Sequence, residues 1–327
     1  MVCLVWGTTY LAIRISLETI PPFLMAAIRW LVAGTILATA LKLRGARLPR
    51  PGAWPSLTIL GILLLGFGNG GVVWAEQTVP SGLAAVLVAT CPFWMVGIDV
   101  LMPDGEALTL RRMFGLVVGF AGIVLLVWPE IHVGPSGRAF LNGVIATQIA
   151  CAGWAAGSAY ARKRGRTEAK DENVLATAAF EMLFGGAVLL IVSLIRHETA
   201  SVVFMPRTSG ALLYLIFFGA IGGFTAYAYA LKHLPIATVS LYAYVNPIIA
   251  VILGTLVLKE PFSARMAVSA AIVLIGMALV RAEGSTPSGS DNPSATDEPD
   301  EEQHNRNDQK YVDEVAQCVA AHHAEQP

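Results

Sequence analysis

Charge is scarce in this 327-residue chain. Asp, Glu, Lys and Arg make up 14% of it, while 55% is hydrophobic and the mean hydropathy is +0.62. Soluble domains carry about 25% charged residues, so the composition is that of a membrane protein. Cysteine is sparse too. Cys3, Cys91 and Cys151 fall in apolar stretches and Cys318 near the end, a set with neither a disulfide framework nor metal-ligand spacing, and they read as small apolar residues. His132, His197, His233, His304, His322 and His323 all lie between or beyond the apolar stretches, so an intramembrane metal centre or histidine relay has no ligands. A Gly-x-x-x-x-Gly-Lys-Ser/Thr loop is missing, which argues against ATP-driven work by this chain alone. A membrane enzyme should gather carboxylates, histidines or a nucleophile with its base at one depth, and no such cluster is seen. No cofactor, metal or catalytic residue is expected.

What is present is a series of apolar stretches. About 20 apolar residues span the hydrocarbon, and ten stretches qualify: Met1 to Leu17, Pro22 to Leu41, Trp54 to Ala75, Ser81 to Leu101, Arg111 to Trp128, Asn142 to Ala161, Asn173 to Ile195, Ser209 to Leu231, Ile236 to Leu258 and Ala264 to Val280. The first lacks a basic n-region and carries Arg14, so it is expected to be a retained helix with a shortened beginning, not a cleaved signal. Composition changes at Ala282. Residues 283 to 327 hold 11 of the 23 acidic residues beside only Arg306 and Lys310, a net −9 against +8 for the rest. This polar, Pro/Ser/Asp-rich segment is expected to be a disordered acidic cytoplasmic tail, with a short helix over Tyr311 to Ala321 conceivable. Basic residues favour one set of connections by thirteen to five, which predicts both termini inside and an even number of spans.

Self-comparison shows two copies of one unit. PSGLAAVLVATCP (Pro80 to Pro92) aligns with PIATVSLYAYVNP (Pro235 to Pro247) at an offset of 155, after which Glu106, Thr109, Arg111 and Gly122 align with Glu260, Ser263, Arg265 and Gly276 at 154. WGTTYLAIR (Trp6 to Arg14) pairs loosely with WAAGSAYAR (Trp154 to Arg162). Five spans per copy is an odd number, so the second copy enters the membrane inverted. The expected architecture is an all-α membrane protein of ten helices in two inverted five-helix repeats, residues 1–130 and 141–282, followed by the tail 283–327. Such repeats let a secondary transporter alternate between inward-open and outward-open states.

Those residues carry a family resemblance. Ten spans in two halves, the WGTTY start at Trp6 to Tyr10, WAEQTVPSGLAAVL at Trp74 to Leu87, and the Gly-Glu-x-x-Thr pattern before the last span of the first half resemble the EamA-type members of the drug/metabolite transporter superfamily. The second copy departs from the pattern, reading Lys259-Glu260 with Pro261. The resemblance covers residues 1 to about 282. It implies an inner-membrane exporter of metabolites or drugs with a central cavity between the halves, and no particular substrate.

Pro92 and Pro247 interrupt the penultimate span of each half, where a proline frees a carbonyl that lipid cannot satisfy. They are helix-break candidates facing the pathway, or packing kinks. Glu76 and Arg29 are candidate coupling residues, expected to pair until Glu76 takes a proton; a structural carboxylate at the interface is the plainer reading. Arg14 and Glu18, four apart, are expected to form a surface ion pair. Asp99 reads as a membrane-end residue, and Glu181 sits in a span that need not line the cavity. Candidates for substrate contact are Trp6, Thr8, Thr9, Tyr10, Asn69, Trp74, Thr90, Trp94, Tyr227, Tyr242, Tyr244 and Asn246, polar and aromatic groups suited to amphiphilic or zwitterionic solutes. An interfacial aromatic belt competes for them, fitting Trp54 and Trp128 best. Gly66 with Gly70, Gly115 with Gly119, and Gly219, Gly222 and Gly223 read as helix-packing positions.

The leading expectation is export of amino-acid-like metabolites or amphiphilic drugs. Nucleotide-sugar exchange would call for more intramembrane cations than Arg14 and Arg29. A partner-binding protein acting through the acidic tail is the alternative from another class. Expected partners are a small-molecule solute and the bilayer, with a homodimer allowed and nucleic acid not expected.

Overall fold

The computed structural model describes residues 2–101, 109–128, 135–167, 172–234, 239, 242–260 and 263–281. The acidic tail, Pro235 and the Gly105-Glu106 pair lie outside them. All regular structure among the described residues is helical: α1 Val2–Ser16, α2 Pro22–Leu43, α3 Pro51–Ala75, α4 Ser81–Val88, α5 Cys91–Val100, α6 Leu110–Val127, α7 Pro135–Thr167, α8 Val174–Ile195, α9 Pro206–His233, α10 Tyr242–Val257 and α11 Ala264–Arg281. Helices α4 and α5 form one apolar run, Ser81–Val100, and seven such runs are long and apolar enough to cross a membrane. Helices α1, α10 and the apolar part of α11 are shorter. Outward faces carry Phe114, Val117, Val124, Ile145, Phe217, Ile248 and Ile275 in the open, as contact with lipid tails demands.

The packing pairs follow a pattern. Counting the runs in chain order as ten, the second (α2) lies along the seventh (α8) and the fifth (α6) along the tenth (α11). The first (α1) packs on the ninth (α10) and the eighth (α9); the sixth (α7) packs on the fourth (α4 and α5) and the third (α3). Shifting every number by five maps this set of contacts onto itself. The third and eighth runs also share a local departure, a π-helical middle at Gly61–Asn69 in α3 and at Leu215–Phe224 in α9.

Glycines decide how close some pairs come. A methyl added at Gly276 of α11 would stand 2.5 Å from the Gly119 amide nitrogen and 2.6 Å from the Gly115 carbonyl oxygen of α6, so these backbones touch without a side chain between them. Helix ends are closed by carboxylates from elsewhere in the chain. Glu260 accepts from the Ser81 amide (2.9 Å) and hydroxyl (2.8 Å) and from the Gly82 amide (3.3 Å), capping α4; Glu198 accepts from the Leu24 amide (2.8 Å), capping α2.

The two prolines sit differently. Pro92 lies in the first turn of α5, after a turn at Ala89 and Thr90 that divides the run, whereas Pro247 lies inside the continuous helix α10. At the break, the Thr90 hydroxyl is 2.7 Å from the Leu87 carbonyl and 3.0 Å from Gln148 Oε1, and the Cys151 thiol is 3.9 Å from the Leu87 and Val88 carbonyls. Side chains, one of them from α7, thus attend the carbonyls that Pro92 leaves over.

One expectation is corrected. Helix α1 ends at Ser16, so Glu18 has left the helical face of Arg14; it pairs with Arg207 (3.2 Å), while the Arg14 guanidinium donates to the Glu76 backbone carbonyl. Glu181 lies buried in α8 and lines a second cavity, not the central one.

Candidate functional site

A cavity of about 70 Å³ lies where α1, α2, α3, the α4–α5 break, α7 and α10 meet. Its wall holds Trp6, Thr9, Tyr10 and Ile13 from α1, Arg29 and Trp30 from α2, Gly68, Asn69 and Val72 from α3, Val88 and Cys91 at the break, Ala150, Cys151 and Trp154 from α7, and Tyr242 and Asn246 from α10. The π-helical stretch of α3 ends at Asn69, whose Oδ1 accepts from Trp30 Nε1 (2.9 Å), leaving the amide nitrogen for the cavity. Thr9 donates back to the Trp6 carbonyl (2.7 Å), a local bond that leaves its oxygen as an acceptor. The Asn246 amide, oriented by its neighbours, donates to the carbonyls of Cys3 (2.8 Å) and Tyr242 (3.1 Å).

Arg29 is 2% exposed. Its guanidinium carbon lies 4.4 Å from the Trp30 ring centre, a cation–π contact, yet Nε and Nη1 find no acceptor. Glu76, fully buried at the end of α3, has both carboxylate oxygens without a donor. The two charges do not touch in this structure, so the expected pair is not made.

A second cavity, about 300 Å³, opens between α3, α7, α8 and α9, with Arg162, Arg164, Glu172, Thr177, Glu181, Tyr227 and Lys232 among its walls. Arg164 donates to both oxygens of Glu172 (2.7 Å each) and Thr177 donates to one of them (3.3 Å). An aromatic cluster stands between the cavities. Trp6 is 5.4 Å from Trp154, 5.1 Å from Tyr227 and 5.2 Å from Tyr242, centre to centre. A closed ring of bonds fixes it: Trp154 Nε1 donates to the Tyr227 hydroxyl (3.0 Å), Tyr227 to Ser158 Oγ (2.8 Å), and Ser158 to the Trp154 carbonyl (2.7 Å). Each of these donors has one proton and one acceptor, so the ring is fully satisfied.

Of the residues singled out in the sequence, Trp6, Thr9, Tyr10, Asn69, Tyr242 and Asn246 meet at the smaller cavity, joined by Arg29. Tyr227 faces the larger one. Trp74, Thr90, Trp94 and Tyr244 line neither; Trp94 Nε1 and the Thr90 hydroxyl both reach Gln148 Oε1 at 3.0 Å, and Thr8 sits 2.5 Å from the Tyr214 hydroxyl. Trp30, Gln148 and Trp154 were not singled out. For Trp154 the signal existed, since the repeat aligns it with Trp6, and the two rings meet.

Comparison with known proteins agrees with this architecture. The chain matches the EamA-like transporter family over residues 1–128 and 141–282. YedA of Escherichia coli (strain K12), named as an uncharacterized inner membrane transporter, is 39% identical over 255 residues, 77% of this chain and 79% of that one. Protein PecM of Dickeya dadantii is 27% identical over 278 residues, 85% of this chain and 89% of its own, and a WAT1-related chloroplastic protein of Arabidopsis thaliana is 27% identical over 281 residues, 84% and 66%. A solved crystal structure at 22% identity superposes with a TM-score of 0.62, covering 85% of this chain and 94% of the other, a likeness of fold alone. The chain is a multi-pass membrane transporter and belongs to the EamA-like transporter family.

Proposed function

We propose that the protein is a secondary transporter that exports small amino-acid-like metabolites or amphiphilic drugs across the inner membrane by alternating access. Ten spans form two inverted repeats, 1–130 and 141–282, with both termini and the acidic tail 283–327 in the cytoplasm. The observation that carries this reading is the packing pattern, which is unchanged when each span is exchanged for the one five places on. Matching π-helical middles in α3 and α9 support the same relation. A pseudo-symmetric pair of halves can exchange roles around a fixed midplane site. Arg162, Arg164 and Lys232 in its wall support a cytoplasmic side for the larger cavity by the loop-charge rule; in this reading it serves as the inner vestibule and the Trp6–Trp154–Tyr227–Tyr242 cluster as the closed barrier beneath the central cavity. At about 70 Å³ that cavity is well below the roughly 300 Å³ at which small-molecule sites begin, so loading requires the halves to move. Glu76 and Arg29 are the groups through which a proton gradient would couple to the movement.

The test is uptake into liposomes carrying the purified protein, across a panel of amino acids, nucleosides and cationic dyes, with and without a pH gradient. Movement of one solute class, abolished by Asn246→Ala in a folded variant, is the expected result. Identical movement in that variant, or none for any solute with a folded protein, contradicts the proposal.

A further inference from the structure

Arg29 makes no ion pair or hydrogen bond to a carboxylate among the described residues. It is buried and forms part of the central cavity wall, and its Nε and Nη1 lack any acceptor. Its third nitrogen fills space that only a glycine leaves open, since a methyl at Gly219 would stand 2.9 Å from Arg29 Nη2 and 3.0 Å from Thr9 Cγ2. Burying an ion without a partner is costly, and in a membrane span such a group is held in place for a charge that arrives. Glu76 makes no hydrogen bond to it, and among the described residues no carboxylate belongs to the cavity wall.

Beside Arg29, the Asn69 amide adds donors of the same sign, with the Thr9 oxygen as a neutral acceptor. The Asn69 amide nitrogen is a double donor whose oxygen is already taken by Trp30, and the Tyr10 and Tyr242 hydroxyls stand in the same wall. A cationic solute would therefore meet a like charge in a low-dielectric space, whereas a carboxylate would meet a planar fork of guanidinium donors, itself kept in plane by the Trp30 ring. Trp6 and Trp154 offer apolar surface in the same wall for the remainder of the solute.

We infer that the central cavity binds a solute bearing a carboxylate, which Arg29 holds, with an apolar or aromatic body against Trp6 and Trp154. The inference rests on the transporter reading and narrows it, favouring carboxylate metabolites over cationic amphiphiles.

Binding to the purified full chain tests it, followed by tryptophan fluorescence because Trp6, Trp30 and Trp154 all stand at the cavity. The probes are matched pairs: L-leucine and L-leucinamide, L-phenylalanine and L-phenylalaninamide, 3-phenylpropionate and 3-phenylpropionamide. The acids should bind at least tenfold more tightly than their amides. Arg29→Gln should erase that preference by weakening the acids tenfold or more while leaving the amides alone, and Arg29→Lys should keep part of it. Equal binding of acid and amide, or equal weakening of both by Arg29→Gln, overturns the inference. The comparison on the unmodified protein decides even where a variant does not fold. Acid preference without uptake into liposomes keeps this inference and removes the transport reading; uptake of cations or amides with no acid preference does the reverse.

Discussion

Lys259 has a φ of +56°, in the left-handed region that costs a side-chain-bearing residue about 1–2 kcal/mol and glycine almost nothing. The repeat sets Gly105 opposite it, so the departure from the Gly-Glu pattern in the second copy is a departure in backbone comfort. The neighbouring Glu260 keeps its job, because its carboxylate caps α4 whatever residue precedes it. Lys259→Gly should therefore stabilise the protein by about 1 kcal/mol, raising the thermal unfolding midpoint by a few degrees. An unchanged or lower midpoint would show that the Lys259 side chain contributes more than its backbone costs. Single residues were also where sequence reading reached its limit. Arg29 was legible as an ionisable group in a span, yet whether it faces a carboxylate or a cavity depends on the rotation of α2 against α8 and α9, which no local pattern encodes. Arg14 and Glu18 had the right spacing, but the helix that would align them stops at Ser16. That Glu181 lines the second cavity was not legible for the related reason that the neighbours of α8 were unknown.

At the scale of elements, hydropathy located eight of the ten described runs within three residues, because a bilayer's thickness fixes helix length, while α7 runs from Pro135 to Thr167 against an expected 142–161 and α10 is described from Tyr242 against an expected start at 236. Hydropathy does not register a change of helical period, so the π-helical middles of α3 and α9 were invisible, although the glycine-rich FGNGG and FGAIGGF segments mark where they fall. The proline pair was legible and its consequences were not. Pro92 accompanies a true break attended by Thr90 and Cys151, whereas Pro247 is carried inside α10. The α6–α11 pair offers a sharper test of element packing. Gly276→Ala pushes a methyl against the backbone of Gly115 and Gly119, which has no side chain to move aside, and the two helices must separate. A loss of about 1–3 kcal/mol is expected, seen as a lower melting midpoint in detergent. If the midpoint holds, the close approach of these helices is wrong.

Across the whole molecule, the repeat was the most informative feature of the sequence, since the offset of 155 carries an expected five spans and from that odd number comes the proposal of inversion. It aligns Trp6 with Trp154, whose rings stand 5.4 Å apart in the septum between the two cavities. The account of transport comes down to whether the small cavity communicates with each side of the membrane in turn. Cys91 and Cys151 already stand in its wall and serve as reporters once Cys3 and Cys318 are changed to serine. A small membrane-impermeant thiol reagent is applied to one face or the other of sealed vesicles holding this variant. Modification from both faces, with the rate from each face shifting in opposite directions when a transported solute is added, is the predicted result; modification from one face alone under every solute condition would contradict alternating access.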